Sequence, residues 1–319
     1  MADTGVDIIA DVDCAETCQT YRAFGMTIRS ELPLPELEQA ADDSEPDLRI
    51  RLRTIARDIT SATRSTYAYG PDEQFLHWPT VGSFLIRGAD TIDVDPDAGA
   101  SCGLIRLPLL GPVMALLMHQ RERLVLHASA VRVGARLVVF VGDKGAGKST
   151  TTAAAVERGH ALFTDDLLPI SIEPDGRALA YAGFPSLKLV NDCASLFNLQ
   201  GANDLAAPVD GFPKRIRRLI QPFLSASASP ARIYILERST GARAAPLPPA
   251  EALCAVMRFA YVPLFQSKPW TPPETRRHFS QCAALAAATP VRRLETPSDL
   301  GRLQEIIDCV EDDLARDAP

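Results

Sequence analysis

The stretch FVGDKGAGKST, residues 140–150, decides the fold. Gly142, Gly147, Lys148 and Ser149 have the spacing G-x-x-x-x-G-K-[ST] of a phosphate-binding loop. Glycines let the backbone curl tightly enough to direct successive N–H groups at an anion. In such a loop the lysine reaches the β- and γ-phosphates and the hydroxyl ligates Mg²⁺. A glycine-rich surface turn is the alternative, so the flanking sequence has to decide.

The residues on either side of the loop have the pattern that a phosphate loop requires. LVVFV, residues 137–141, is a continuous apolar run, typical of a strand buried on both faces. TTTAAAVERGH, residues 150–160, is rich in alanine, has no proline and ends near Gly159, which suits the position past a helix end. We therefore predict a strand, the loop and a helix from about Lys148, with its positive dipole end directed at the phosphates.

Length, charge and hydropathy exclude several classes of protein. The chain has 319 residues, enough for two domains, and a net charge of -7. Its first fifty residues hold 12 Asp or Glu against 3 Lys or Arg, so we expect no nucleic-acid partner. The N-terminus has no basic start followed by an apolar core, so no secretory signal is predicted. The apolar stretch from Leu104 to Met118 is too short for a membrane span and predicts a buried helix beginning near Pro112.

The seven cysteines are scattered along the chain. Only Cys14 and Cys18 lie close together, and no second pair or nearby histidine completes a zinc site. We therefore predict free thiols in a reducing compartment, and hence a cytoplasmic protein.

Two domains are predicted, residues 1–99 and residues 100–319. The first alternates short β-prone runs with Pro, Gly and Asp breaks, which is typical of a small sheet-rich domain without catalytic residues. The second has helix and parallel-strand patterns, including a strand at ARIYILE, residues 231–237. From Pro249 onwards the pattern is mainly helical, interrupted by a proline-rich loop, FQSKPWTPPET, residues 265–275.

Two adjacent carboxylates follow the loop helix. ALFTDD, residues 161–166, predicts a short apolar strand that ends in Asp165 and Asp166. In phosphate-loop proteins a neighbouring parallel strand carries an acidic residue that holds Mg²⁺. One carboxylate could hold the metal, while the other, its pKa raised by its neighbour's charge, takes a proton from an attacking hydroxyl. A solvated acidic turn is the alternative.

A histidine precedes the loop by one predicted hairpin. LVLHASAVRVGARLVVFVG places His127 on a strand that turns near Gly134 into the strand of the loop. From there its imidazole could reach the carboxylate pair or the γ-phosphate. A purely structural histidine is equally compatible with the spacing.

These motifs together carry a resemblance to a known family. HASAV, GDKGAGKST and ERGHALFTDD resemble the catalytic core of the HPr kinase/phosphorylase family, bacterial kinases whose phosphate loop is of the phosphoenolpyruvate-carboxykinase type. The resemblance spans roughly residues 124–170. It implies an α/β kinase core with a mixed sheet and flanking helices, ATP and Mg²⁺ as cofactors, and Asp165, Asp166 and His127 in the family's catalytic positions. Lys144 departs from the family, which usually has a serine there, and no stretch matches the family's later loop for HPr binding and phosphorolysis.

The opening YRAFGMTIRSELPLPEL, residues 21–37, resembles a branch of that family. It is similar to the N-terminal part of HPr-kinase-like proteins encoded beside lasso-peptide and other modified-peptide pathways, some of which phosphorylate a serine hydroxyl of the precursor peptide. The resemblance implies a peptide or protein substrate with a hydroxyl acceptor, and we expect no membrane partner. The sequence leaves a homo-oligomer open.

A basic cluster and one further lysine are candidates for phosphate or acceptor contacts. FPKRIRRL, residues 212–219, is basic in an otherwise acidic chain, and cations aimed at a transferring phosphoryl group stabilise its charge. Lys214 and Arg215 are the first choices there, and a solvated helix face or loop is the alternative. Lys188 follows a glycine turn, GFPSLKLV, and could line the acceptor groove.

The predicted site combines these groups. The catalytic candidates are Asp165, Asp166, His127 and Lys148; the nucleotide-binding candidates are Gly142, Asp143, Lys144, Gly145, Ala146, Gly147, Lys148, Ser149 and Thr150; the metal candidates are Ser149, Asp165 and Asp166. The sequence favours an ATP-dependent serine kinase. A nucleotide-switched binding protein, a kinase of a small-molecule hydroxyl and a degenerate kinase that only binds a leader peptide remain alternatives. The guanine-recognition run N-K-x-D and the transporter run L-S-G-G-Q do not occur in the sequence.

Overall fold

A computed structural model describes residues 18–41, 44–57, 64–70, 72–199, 201–220, 223, 226–261 and 270–316. These residues form a mixed α/β structure with three sheets and flanking helices. The predicted absence of a signal segment and of a zinc site at Cys14 concerns residues outside the described ranges.

The first sheet contains eight strands in the order β3-β1-β2-β4-β8-β7-β6-β5. They are β1 (Gln19–Ala23), β2 (Met26–Ser30), β3 (Glu38–Gln39), β4 (Leu48–Leu52), β5 (Thr66–Tyr69), β6 (Glu73–Trp78), β7 (Gly82–Arg87) and β8 (Thr91–Pro96). The β2–β4 and β4–β8 pairs are parallel, and the other pairs are antiparallel. These strands agree with the β-prone runs of the sequence, in which alternating apolar residues face one core.

A helical segment packs against that sheet. It consists of α1 (Cys102–Pro108), a π-helical turn (Leu109–Val113) and α2 (Met114–Gln120). Gly111 has non-helical dihedral angles (φ -107°, ψ -107°), so two helical stretches meet there at a kink. The second stretch begins at Pro112, near the start predicted from the sequence, whereas α1 had not been predicted. By length and composition alone, residues 102–120 could cross a membrane, unlike the shorter stretch considered in the sequence, and 61% of the most apolar 18-residue part is buried in the structure.

The central sheet has seven strands in the order β12-β11-β9-β10-β16-β18-β17. They are β9 (Leu124–Val133), β10 (Arg136–Val141), β11 (Ala161–Ile172), β12 (Ala178–Ala180), β16 (Pro230–Ser239), β17 (Arg243–Pro246) and β18 (Val291–Pro297). The β10–β16 and β16–β18 pairs are parallel, whereas β9 is antiparallel to both of its neighbours. Strands β10 and β11 are thus parallel to each other but separated by β9. The predicted acidic strand is not the direct neighbour of the loop strand.

Helices cover both faces of the central sheet. Val138 and Phe140 point into a core shared with α3 (Lys148–Glu157) and α7 (Leu303–Ala315). Val139 and Val141 point into a second core shared with α5 (Pro249–Phe259) and α6 (Pro272–Ala288). This burial on both faces explains the unbroken apolar run before the loop.

The third sheet is antiparallel, in the order β13-β15-β14. Its strands are β13 (Ser186–Val190), β14 (Asn203–Leu205) and β15 (Lys214–Arg218), and the short helix α4 (Asn191–Ala194) follows β13. The basic cluster is therefore strand β15, and neither a helix face nor a loop. Strand alternation explains this, because Ile216 is buried and its direct neighbours, Arg215 and Arg217, point to the opposite face.

The C-terminal part differs from the sequence-based description in two respects. Strand β18 interrupts the predicted helices, and α6 begins at Pro272, inside the predicted loop. Of that loop, residues 265–269 lie outside the described ranges. The described residues also include free thiols at Cys18, Cys193, Cys254, Cys282 and Cys309, whereas Cys102 is disulfide-bonded. The prediction that all cysteines are free is therefore wrong.

Candidate functional site

The loop between β10 and α3 turns on two glycines with positive φ. Gly145 has φ +86° and Gly147 has φ +102°, a region that side chains other than glycine rarely adopt. Gly142 is needed for space, since a Cβ there would lie 2.9 Å from the Ala146 Cβ. Strand, loop and helix thus follow one another as the motif predicts.

The start of α3 offers backbone N–H donors to an anion. Gly147 stands at the N-cap, so no side chain caps the helix, and its first turn contains no acidic residue. Lys148 Nζ donates to the carbonyl oxygens of Gly142 at 2.8 Å and Asp143 at 3.4 Å. Burial lowers the pKa of Lys148, although Asp165 and Asp166 oppose this shift. These features suit a bound phosphate, because its negative charge would complement the lysine ammonium and the positive end of the helix dipole.

Strand β11 carries the carboxylate pair in its middle, not at its end. The strand continues to Ile172, and its pairing with β9 shifts register between Leu162 and Thr164. Asp166 then has φ +111°, unusual for a residue with a side chain. Neighbouring side chains of a regular strand point to opposite faces. Here the strand is irregular, with a register shift and a positive φ, and both carboxylates contact Lys188. Asp165 accepts from its backbone N–H and Asp166 accepts from its ammonium.

Asp165 is a buried acceptor with three donors. Its Oδ1 accepts hydrogen bonds from Ser129 Oγ at 2.6 Å and from Ser149 Oγ at 2.9 Å. Its Oδ2 accepts one from the backbone N–H of Lys188 at 2.9 Å. The hydroxyl that ends the loop motif and a carboxylate oxygen therefore lie side by side, a donor set that suits Mg²⁺ completed by phosphate oxygens and water.

Asp166 is paired with two cationic or donor groups. Lys188 Nζ lies 3.0 Å from its Oδ2, and His127 Nδ1 lies 3.1 Å from its Oδ1. His127 Nδ1 also lies 3.2 Å from the Asp166 carbonyl oxygen, so this nitrogen carries the proton. The ring of Tyr261 packs against His127 with centroids 6.0 Å apart.

The electrostatics of Asp166 differ from the sequence-based hypothesis. Burial alone would raise the pKa of its carboxyl, but the Lys188 ammonium and the His127 hydrogen bond outweigh burial and hold that pKa well below its ordinary value. The predicted carboxylate with a raised pKa is therefore not Asp166, because its cationic partners act more strongly than its carboxylate neighbour. Burial and the charge of Asp166 raise the pKa of Tyr261 to about 12.

An open cleft of about 480 Å³ collects most of the predicted residues. It is lined by His127, Lys144, Gly145, Gly147, Lys148, Ser149, Thr150, Asp165, Asp166, Lys188 and Lys214. Asp143 instead accepts two hydrogen bonds from Arg258, at 2.9 and 2.7 Å. Arg215 faces Asp204 at 3.8 Å, and neither Arg215, Gly142 nor Ala146 lines the cleft.

Several lining residues had not been predicted. Ser129 stands two residues after His127, so strand alternation would have placed both on one face. Arg238 is the penultimate residue of β16, the parallel neighbour of the loop strand, and donates to Gly145 O at 3.4 Å. The rule that parallel strands present their carboxyl ends at one edge would have found it. Val190, Asp192, Cys193 and Leu300 complete the cleft and carry no comparable signal in the sequence.

Comparison with known proteins gives a structural likeness. No protein-family model matches the chain, and no curated protein matches it. Among solved structures it is similar to the Hpr(Ser) kinase/phosphatase from Coxiella burnetii, with 14% identity and a TM-score of 0.32, over 60% of this chain and 97% of that one. A likeness at this TM-score does not define a family.

Proposed function

We propose that this protein is an ATP-dependent kinase that transfers the γ-phosphoryl group to a serine-type hydroxyl of a peptide or protein. The observation that carries the proposal is the contact between Ser149, at the end of the loop motif, and Asp165, with the second carboxylate of Asp166 beside it. A loop that only bound nucleotide would need one carboxylate for the metal. The second carboxylate is held by its own partners and faces the same cleft.

The phosphates of ATP would be held by the loop. Lys148 and the uncapped N–H groups of α3 are the donors, and Lys144 and Arg238 add positive charge at the rim of the cleft. In the described part of the chain, Lys144 has no ion-pair partner, and Arg238 donates hydrogen bonds to the carbonyl oxygens of Pro297 and Gly145. Their charge is therefore available to an anionic ligand.

Mg²⁺ would be held by Ser149 and Asp165. No group of three or more His, Cys, Asp or Glu side chains in the described residues could form a protein-only metal cage. This agrees with magnesium sites that use one or two protein ligands and complete the shell with phosphates and water. Bound Mg²⁺ would neutralise charge on the phosphate oxygens during transfer.

Asp166 would orient the acceptor. Its low pKa keeps the carboxylate charged, so it can accept a hydrogen bond from the incoming hydroxyl. During transfer the hydroxyl O–H bond breaks, its oxygen forms the new bond to phosphorus, the bond to ADP breaks, and the proton passes to Asp166 and then to water. His127 would hold Asp166 in place through its Nδ1–H.

The experiment that tests the proposal incubates the protein with Mg²⁺, γ-labelled ATP and the small peptides encoded beside its gene. We expect label and the mass of one phosphoryl group on a serine of a peptide. A nucleotide-switched protein would release phosphate or bind a peptide while leaving every peptide unlabelled. A small-molecule kinase would label neither peptide nor protein, and its product would appear only when candidate hydroxyl compounds are added.

A further inference from the structure

Glu36 connects the first sheet to the candidate site. It lies between β2 and β3, and its side chain is 5% exposed. Its Oε1 accepts a hydrogen bond from Arg106 Nε of α1 at 2.9 Å. Its backbone carbonyl accepts one from Ser186 Oγ, at the first residue of β13, at 3.0 Å. Strand β13 also carries Lys188, which contacts both aspartates. The hydrogen bond from Ser186 therefore joins Glu36 to the strand that contacts the carboxylate pair.

The second carboxylate oxygen of Glu36 is unpaired. Oε2 is buried, and no donor in the described part of the chain bonds to it. A buried carboxylate oxygen without a donor is costly, and such atoms in folded proteins call for an explanation. A donor that is engaged elsewhere in this state provides one.

Lys188 is the donor that fits. Residues i and i+2 of a strand point to one face, so Lys188 shares a face of β13 with Ser186, which contacts Glu36. Its ammonium has three N–H groups and donates a hydrogen bond to Asp166 Oδ2 at 3.0 Å. Burial lowers the pKa of Lys188, but Asp166 most strongly, and Asp165 and Glu36 more weakly, raise it above its ordinary value. Lys188 therefore lies within the electrostatic reach of Glu36.

We propose that Glu36 is a positioning residue of the active site, whose carboxylate receives the Lys188 ammonium when an acceptor hydroxyl takes the place of Lys188 at Asp166. Only hydrogen bonds and an ion pair are exchanged, and Lys188 keeps its proton and its charge inside the site. The inference rests on the proposed kinase function. It gives Glu36, in the segment between β2 and β3, a part in positioning the catalytic groups.

A double-mutant cycle tests this inference. Glu36→Gln keeps the shape but leaves one acceptor oxygen, so it cannot serve both Arg106 and Lys188; Lys188→Met removes the donor. We expect each single change to lower kcat roughly tenfold or more while ATP affinity stays near that of the wild type. The double variant should be no slower than Lys188→Met alone. A double variant whose loss equals the product of the two single losses would overturn the proposal.

Two further variants distinguish a loss of catalysis from a loss of folding. Glu31→Gln is the matched control, because Glu31 belongs to the same segment and does not line the cleft. Its carboxylate is ion-paired with Arg53 at 2.8 Å. This variant should transfer phosphate at the wild-type rate. Ser186→Ala removes the hydrogen bond to the Glu36 carbonyl without a change of charge. It should lower kcat with unchanged ATP affinity, and an unchanged kcat would contradict the role of this contact.

The same cycle is measured by binding of the peptides without ATP, which needs no phosphate transfer. We expect the changes in peptide-binding free energy caused by Glu36→Gln and Lys188→Met to be non-additive in the double variant, because Lys188 moves to Glu36 only when an acceptor occupies Asp166. Wild-type protein that binds a peptide but labels none would count against the kinase proposal alone. Strictly additive binding free energies would count against the Glu36–Lys188 coupling alone, so the two failures are distinguishable.

Discussion

Asp166 has the least ordinary backbone of the candidate site. With φ +111° it adopts a conformation that costs on the order of 1–3 kcal/mol for a residue with a side chain. Its carboxylate is held by Lys188 at 3.0 Å and His127 at 3.1 Å, contacts that offset this strain. Strain of this kind concentrates at functional sites, where surrounding contacts maintain it. The two adjacent aspartates therefore differ in surroundings, and their roles should separate.

The first prediction concerns that separation. Asp165 accepts hydrogen bonds from Ser129, Ser149 and the Lys188 backbone N–H. Asp165→Asn has only one acceptor oxygen and leaves at least one of these donors facing its N–H₂ group, so stability should fall. It also loses the charge that would hold the metal, so Mg²⁺ dependence should weaken. Asp166→Asn should lower kcat by about 10²-fold or more with nearly unchanged Mg²⁺ dependence, because it loses the charge that accepts the hydroxyl proton. Magnesium titrations of the transfer rate check both. Equal behaviour of the two variants would remove the division of roles.

The second prediction concerns His127. His127→Ala should lower transfer much more than ATP affinity, because its hydrogen bond to Asp166 serves the transferring state and does not contact the loop. ATP affinity, thermal stability and phosphate transfer are measured on one sample. A loss of transfer that unfolding explains fully would make His127 a structural histidine.

At the scale of elements, strand β11 and the turn before β13 fit together closely. Gly183 donates its N–H to Phe163 O at 2.9 Å, and a Cβ at Gly183 would lie 2.2 Å from Thr164 Oγ1. Thr164 immediately precedes the aspartate pair, and Lys188 follows Gly183 by five residues. The glycine thus allows the third sheet to approach the strand that carries both carboxylates.

The third prediction follows from this close approach. Gly183→Ala should destabilise the protein by about 1–3 kcal/mol and lower transfer, because β11 must shift to accept the methyl group. Gly241→Ala is the matched control, since a Cβ there meets nothing within 4 Å and its φ is not positive. Denaturant unfolding of both variants decides the matter. Equal stability of the two would mean that β11 and the turn adjust freely.

At the scale of the whole molecule, local sequence predicted the parts of the site that lie within single elements. The loop, its strand and α3 were predictable because glycine spacing and apolar periodicity act over a few residues. The positions of Ser129, Arg238 and Lys188 depend on which strands become neighbours, and the order β11-β9-β10-β16 is a tertiary outcome. The positive φ of Asp166 and the link from Glu36 to β13 likewise depend on contacts between distant segments, so periodicity could not predict them.

The fourth prediction concerns the stability of the whole chain. ATP with Mg²⁺ should raise the melting temperature by a few degrees, because a ligand at a hundred times its Kd adds about 2.7 kcal/mol to the folded state. Lys148→Ala should lose most of this shift, since the phosphates lose their buried cation. Thermal scans with and without nucleotide check it. An equal shift in both proteins would place nucleotide binding away from the loop.

The most direct test of the kinase proposal compares phosphate transfer by the wild type and by folded Lys148→Ala on the same peptides. The wild type should place one phosphoryl group on a peptide serine, and the variant should be slower by about 10²-fold or more, because the charge growing on the phosphates is no longer neutralised. Mass spectrometry of the peptides reads both outcomes. A folded Lys148→Ala protein that keeps most of the transfer rate, or a nucleotide-binding wild type that modifies no hydroxyl, would contradict the proposal.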